Sequence, residues 1–466
     1  GSDDEALGCL DRAVSIDPES AQAFFVRAQV GLARLQRRRG FPKLAPTPGG
    51  FIIEPAAPET AEDAAVKTRI TGDFQEALRL YHGQHIRWEQ QYALGILALI
   101  EGRFSEAREH LAAALELQGS NFRILFHLGL AELFRGAPEK AVARLDEALQ
   151  IKPRSLEARL YHGLAQLLEW QGTWIDAKMS AAVADLADLL AATDSAEVRT
   201  YLAVTHIAYS NYLRWDDKFR WRPENRDRCA SLYEAALALL AKAVGQKPGL
   251  GIAYLHAGHA CSEYARLTRE EARFEQATAH FARAMELGPA TAYWHVLHGN
   301  AWADYADHTS ASESRAQRYR RAIDAYTPAV TPEHEYAHIG RGRVQVDLAR
   351  TGVEPVNNFE AGCADLTHAV ELKGRFTTWA LSVRADAFVF RASIESDGVG
   401  REAWRQRALA DLQSILQVDA SEANTFRRIG MIHRDRGDRE AMRLAFERAI
   451  RLDSSLEAEL RPLLQE

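Results

Sequence analysis

Five consecutive residues, His334-Glu335-Tyr336-Ala337-His338, carry the strongest catalytic pattern in the sequence. On a helix, histidines four apart share a face and can hold zinc together, with the glutamate between them as the general base of a hydrolase. Pro332 weighs against that reading. It marks an element boundary, so His334 falls in a turn and His338 in the first turn of the next helix. No third ligand on a dedicated fold follows downstream. Two further pairs, His256/His259 and His295/His298, are three residues apart, with Cys261 close to the first. Beside the small residues Gly258 and Gly299 they read as half-buried packing histidines. No Ser-His-Asp order, phosphate-binding loop or dinucleotide glycine signature is visible. A chain that is not an enzyme and needs no cofactor or metal is expected, with a zinc-dependent hydrolase using 334–338 as the alternative.

Two basic stretches raise a different chemistry. Trp215 to Arg222 alternates aromatic and charged residues and could stack on bases or on a partner's cations, although such a segment more commonly clamps a long helix pair. Arg315 to Arg321 is basic but is bracketed by Glu313 and Asp324, which suits a solvated helix face. The 57 Lys+Arg against 64 Asp+Glu leave a net charge of -7, and the pI is near 6.2. A nucleic-acid-binding solenoid, which would need a basic surface, is therefore disfavoured. The four cysteines (Cys9, Cys229, Cys261, Cys363) form no CxxC pair, which points to a reduced, cytoplasmic setting. No apolar run reaches the length of a membrane span.

The elements that position these residues repeat. Leu128-Gly129 is followed by Ala141, Leu145, Ala148 and Pro153; thirty-four residues earlier Leu94-Gly95 is followed by Ala107, Leu111, Ala114 and Gly119. A period of this length is the mark of a solenoid of helical hairpins. Gly129 and Ala141 let two antiparallel helices approach closely, while Leu145 and Ala148 pack on the next repeat. The pattern resembles the tetratricopeptide repeat (TPR) family. That resemblance implies an all-α, right-handed superhelical solenoid of antiparallel helix pairs, here about ten repeats.

In order, 3–38 holds N-terminal helices of repeat type, opening on an orphan second helix (Ala6, Leu10, Ala13, Pro18). Residues 39–60 form a proline-rich insertion, 61–195 a regular array, 196–454 an array with lengthened repeats, and 455–466 a capping helix. Boundary markers after Pro153 (Thr193, Pro248, Pro289, Pro332, Gly374, Ala420, Ser454) are 40 to 55 residues apart until the last gap returns to 34. Gly1-Ser2 read as a cloning remnant, and an opening inside a repeat suggests an upstream portion.

Carried over from the resemblance, the first helices line a concave groove for a partner protein or peptide. Its N-terminal half is lined by Glu89, Tyr92, Ile96, Leu99 and Ile100, then Arg123, Phe126, Leu130, Leu133 and Phe134, then Glu157, Leu160, Leu164, Leu167 and Leu168, a largely apolar stripe. The C-terminal repeats offer instead His259, Glu263, Asn300, Asp304, Arg343, Asp347, Arg427, Arg434 and Asp435. The Lys/Asn/Arg carboxylate clamp of the family's chaperone-tail binders is missing. The implied function is a non-catalytic protein-interaction scaffold, the regulatory or recognition part of a larger bacterial signalling or effector protein. The insertion could itself occupy the groove. Phe51, Ile52 and Ile53 sit between prolines that favour extended backbone and would face Tyr92, Ile96, Leu99, Phe126 and Leu130; a disordered loop is the alternative.

Overall fold

The computed structural model describes residues 2–39, 43–47, 50–54, 60–80, 84–214, 222–288 and 291–465, with side chains except at 2–3, 39, 43–54 and 84–86. The chain divides into two compact units, Gly1–Lys247 and Pro248–Glu466. In the first, α1 (Ser2–Ile16) precedes five helix pairs: α2 (Ala21–Arg39) with α3 (Ala61–Leu80), α4 (Gln84–Ile100) with α5 (Phe104–Gln118), α6 (Phe122–Phe134) with α7 (Pro138–Ile151), α8 (Leu156–Thr173) with α9 (Asp176–Thr193), and α10 (Ala196–Arg214) with α11 (Arg226–Gln246). The second unit holds five more: α12 (Gly251–Thr268) with α13 (Glu271–Leu287), α14 (Ala292–Asp307) with α15 (Ser312–Tyr326), α16 (Glu335–Arg350) with α17 (Pro355–Glu371), α18 (Thr377–Ile394) with α19 (Gly398–Val418), and α20 (Ala423–Arg436) with α21 (Arg439–Leu452). The terminal helix α22 (Glu457–Leu463) buries Leu460 beside Met442 and Phe446.

The expected all-α solenoid of helix pairs is what the structure contains, ten pairs among the described residues, several of them lengthened. The compact pair α6/α7 has 13 and 14 residues, whereas α11 and α19 each run to 21. Local chemistry sets the ends. Asn121 caps α6 by accepting the Arg123 amide at 2.9 Å, Pro138 opens α7, and Gly136 turns between them at φ 83°. The insertion adds one non-helical feature. Strands β1 (Lys43–Thr47) and β2 (Gly50–Glu54) pair antiparallel, with Lys43 opposite Glu54 and Thr47 opposite Gly50. Prolines bar this segment from helix but tolerate an isolated two-stranded ribbon, in which each strand keeps an open edge.

Close approach within a pair comes from a small residue meeting a large one. A Cβ at Gly129 would lie 2.8 Å from Leu145 Cγ, and one at Gly95 would lie 2.6 Å from Leu111 Cγ. Gly258 meets Phe281, Gly342 meets Leu366, and Gly430 meets Phe446 in the same way. Tyr326 goes further: its ring is wedged between Gly299 of its own pair and Gly340 of the next. The large partners are essentially solvent-free. Each of these pairs therefore shares one dry seam.

A second regularity is electrostatic and was not anticipated from the sequence. The residue just before the small one is basic in four pairs, and the residue just before the large one is aspartate. Arg27 grips Asp73 through two nitrogens at 2.8 and 2.6 Å, Arg341 grips Asp365 at 2.7 and 2.8 Å, and Arg384 grips Asp411 at 2.8 and 2.7 Å. These three carboxylates are buried. In α8/α9, His162 Nδ1 lies 2.7 Å from Asp185 and Nε2 lies 3.0 Å from Asp146. Burial opposes the charge of this imidazole, but the two aspartates outweigh it and raise its pKa. Forked guanidinium–carboxylate pairing adds direction as well as energy, so the clamps hold the two helices of a pair in register.

Two outcomes check this packing. Gly129→Leu is expected to force α6 and α7 apart and to cost on the order of 2 kcal/mol or more by overpacking, read as a lowered denaturation midpoint. Arg384→Ala strands a buried Asp411 and should cost about 3–5 kcal/mol, whereas Arg384→Met combined with Asp411→Leu should recover most of that loss. Equal losses in the single and double variants would argue against a clamp.

Candidate functional site

The zinc-type pattern is absorbed into structure. His334 is the N-cap of α16, its Nδ1 accepting the Ala337 amide at 3.2 Å. Glu335 is buried and reaches the next pair, accepting the Phe376 amide at 2.9 Å and the Thr377 hydroxyl at 3.2 Å, which ties down the start of α18. His338 turns Nδ1 to Asp365 at 2.9 Å and Nε2 to the Thr331 carbonyl at 3.0 Å. The three side chains thus point to three separate tasks. Among the described residues, no group of three or more His, Cys, Asp or Glu is placed to hold a metal ion. His298 is pushed down to about 4, first by burial and then by His295, and as a neutral ring its Nε2 accepts the Trp302 indole N–H at 2.9 Å. Burial pushes the Cys261 thiol up to about 11.

The first helices do bring the expected apolar residues together on α4, α6 and α8. Most are shielded from water. Tyr92, Ile96, Leu99, Ile100, Phe126, Leu130, Leu133, Phe134, Leu164 and Leu167 are buried; Leu160 and Leu168 are half-buried. Aromatic contacts join neighbouring helices across this face. The Tyr92 hydroxyl is 3.1 Å from His127 Nδ1, Arg123 lies over the Tyr92 ring, and Tyr161 meets both Phe126 and Phe134 edge-on. Burial lowers His127 to about 4. The backbone of β2 runs beside α8. The side chains of Phe51, Ile52 and Ile53 lie outside the described residues, as does the aromatic-basic segment 215–221.

In the second unit the corresponding positions on α12, α14 and α16 are charged. Arg266 reaches Glu263 at 2.9 Å and Asp304 at 3.5 Å; Arg343 stands 3.6 Å from both Asp307 and Asp347; Arg350 bonds Asp347 at 2.8 Å. Asn300 accepts the Tyr326 hydroxyl, and His259 is buried 3.9 Å from Glu263. Farther on, Arg427 pairs with Glu459 and Arg434 with Asp435. Burial pushes the Asp304 carboxyl up to about 6 despite the pull of Arg266 and Arg343, and it raises Asp347 as well. Within the basic run 315–321, read from sequence as a solvated helix face, Gln317, Arg320 and Arg321 are exposed, while Arg315 and Arg318 are half-buried. Arg315 bonds the Thr309 carbonyl, and Arg318 and Arg321 lie over Tyr305 and Trp302.

Because Asp304 is raised above the 3.8 of an ordinary aspartate, its contribution to stability is full below about pH 4 and is lost as pH rises through about 6. Asp304→Asn is therefore expected to gain on the native chain as pH goes from 5 to 8, by about 1 kcal/mol in urea unfolding. A difference that stays constant across that range would contradict the assignment.

The sequence pattern of the tetratricopeptide repeat matches residues 427–456, which span α20, α21 and the start of the terminal cap. No curated protein matches the chain in sequence. Among solved structures, a tetratricopeptide repeat protein from Parabacteroides merdae is 17% identical over 57% of this chain and 87% of its own, with a TM-score of 0.40. YrrB, described as a TPR protein with an unusual peptide-binding site, is 18% identical over 52% of this chain and 95% of its own, at 0.34. The APC/C hetero-tetramer Cut9-Hcn1 aligns over 99% of this chain and 92% of its own at 12% identity and 0.42.

Proposed function

We propose that this chain, a helical repeat protein with a tetratricopeptide repeat at 427–456, is a protein-interaction scaffold that takes a peptide segment of a partner on its first-helix surfaces. The observation that carries this reading is the difference between those surfaces. The side chains of the zinc-type pattern are used up in caps and clamps, as His334, Glu335, His338 and Asp365 are. On the first helices, by contrast, α4, α6 and α8 collect an apolar stripe, and α12, α14 and α16 collect charges of both signs. Of that stripe Leu160 and Leu168 remain half-buried, and apolar surface left partly open favours an occupant.

The insertion 41–60 is the occupant this reading assigns to the stripe. Supporting it are the strand conformation of 50–54 and its course beside α8. A tethered segment binds at an effective concentration of about millimolar, so a weak intrinsic affinity suffices. A partner using the same face would have to displace it, which makes the insertion autoinhibitory.

A labelled synthetic peptide of residues 41–60 tests this directly. It is expected to bind a variant lacking 41–60 and to bind the intact chain at least about tenfold more weakly, since the tethered copy competes. Leu160→Glu in the deletion variant should weaken binding by about tenfold through loss of apolar contact and an unpaired charge. Equal binding to both proteins, or none to the deletion variant, would overturn the occupant; retained binding of partner peptides would leave the scaffold itself intact.

A further inference from the structure

The second unit has a recess of about 270 Å³ away from the first-helix charges just described, walled by the second helices α13 and α15 and floored by Trp302 and Tyr305 of α14. On the α15 wall, Ser314, Gln317 and Arg321 succeed one another at helical spacing and so share one face. Across from them, α13 presents Glu275 and Thr278.

The state of each polar group decides what could enter. Glu275 accepts the Tyr305 hydroxyl at 3.0 Å, and the Thr278 hydroxyl donates to the Glu275 carbonyl at 3.0 Å. Arg318 lies 3.6 Å over the Tyr305 ring and is spent on Glu271, at 2.8 Å, and on the Thr309 hydroxyl. Arg321 differs. Its guanidinium lies 4.8 Å from the Trp302 ring centroid, and among the described residues it has no carboxylate within 4.0 Å. The Ser314 hydroxyl and the Gln317 amide likewise carry no hydrogen bond among the described residues. The floor is held still, because the Trp302 indole N–H is committed to His298 at 2.9 Å. His298, lowered to about 4, stays a neutral acceptor at physiological pH.

We propose that this recess binds an oxyanion, a phosphate or carboxylate group carried by a partner, on Arg321, Gln317 and Ser314. A guanidinium resting on an indole keeps its N–H edge free and loses little further freedom when it pairs. An amide and a hydroxyl on the same helix face add the donors that a multi-oxygen anion requires. Glu275 on the facing wall repels an anion and confines it to the α15 side. The site shares no residue with the first-helix stripe, so it stands or falls independently of the groove.

Calorimetric titration of the full chain with inorganic phosphate, and separately with acetate, at fixed ionic strength tests it. One saturable site is expected. Arg321→Gln should weaken it about tenfold, as loss of a charge-assisted pair does. Glu275→Gln keeps the acceptor for Tyr305, removes the repulsion, and should tighten binding several-fold. Arg320→Gln, at an exposed neighbour outside the recess, should leave affinity unchanged. Tighter phosphate than acetate identifies a phosphate monoester as the natural group, and the reverse order a carboxylate. Absence of saturable binding to either anion, or equal weakening by Arg320→Gln and Arg321→Gln, overturns the proposal.

Discussion

No helix pair in this chain can bury its own apolar surface. An isolated pair has one internal seam and two open flanks, and only stacking against neighbours removes those flanks from water. The seam itself depends on close approach, which Gly129 makes possible against Leu145 and Gly258 against Phe281. Tyr326 carries the same constraint between pairs, since Gly299 and Gly340 press on its ring from two successive repeats. Packing therefore passes from one pair to the next through shared side chains. Polar groups must fit around it rather than interrupt it.

The forked clamps show how charge is accommodated within such packing. Arg27–Asp73, Arg341–Asp365 and Arg384–Asp411 are buried on the aspartate side, where an unpaired carboxylate would be costly. Each satisfies the other's hydrogen bonds, so their contribution is register more than raw stability. The same logic explains the fate of the zinc-type motif. Three side chains able to bind metal were each drawn to a nearer task, a cap, an inter-pair tie and a clamp, because orphan backbone groups at helix ends also need partners.

Function, on this view, rests on what the packing leaves over. In the first unit that is the half-buried margin of the first-helix face, Leu160 and Leu168, with a β-hairpin beside α8; in the second it is a band of paired charges and a recess beside Arg321. Apolar contact supplies affinity with little direction, while paired charges and oriented donors supply selectivity and sensitivity to pH and salt.

From sequence alone, the helix pairs were legible because their period is imposed by local geometry. In the compact pairs a small residue and, sixteen residues on, a large apolar one recur where two helices touch, as at Gly95, Gly129 and Gly430. The turn chemistry of Asn121, Gly136 and Pro138 is equally local. The basic–aspartate clamps were also present as a pattern, a base before the small residue and an acid before the large one, but only distances across the pair give it meaning. Tertiary structure alone decided the rest. It buried Ile96, Leu130 and Leu164, which periodicity cannot separate from an open stripe, and it laid Arg315 and Arg318 against the protein within a run whose Arg320 and Arg321 stay exposed. A sequence shows which side of a helix a residue occupies. Whether that side meets water, another helix or a partner depends on residues far along the chain.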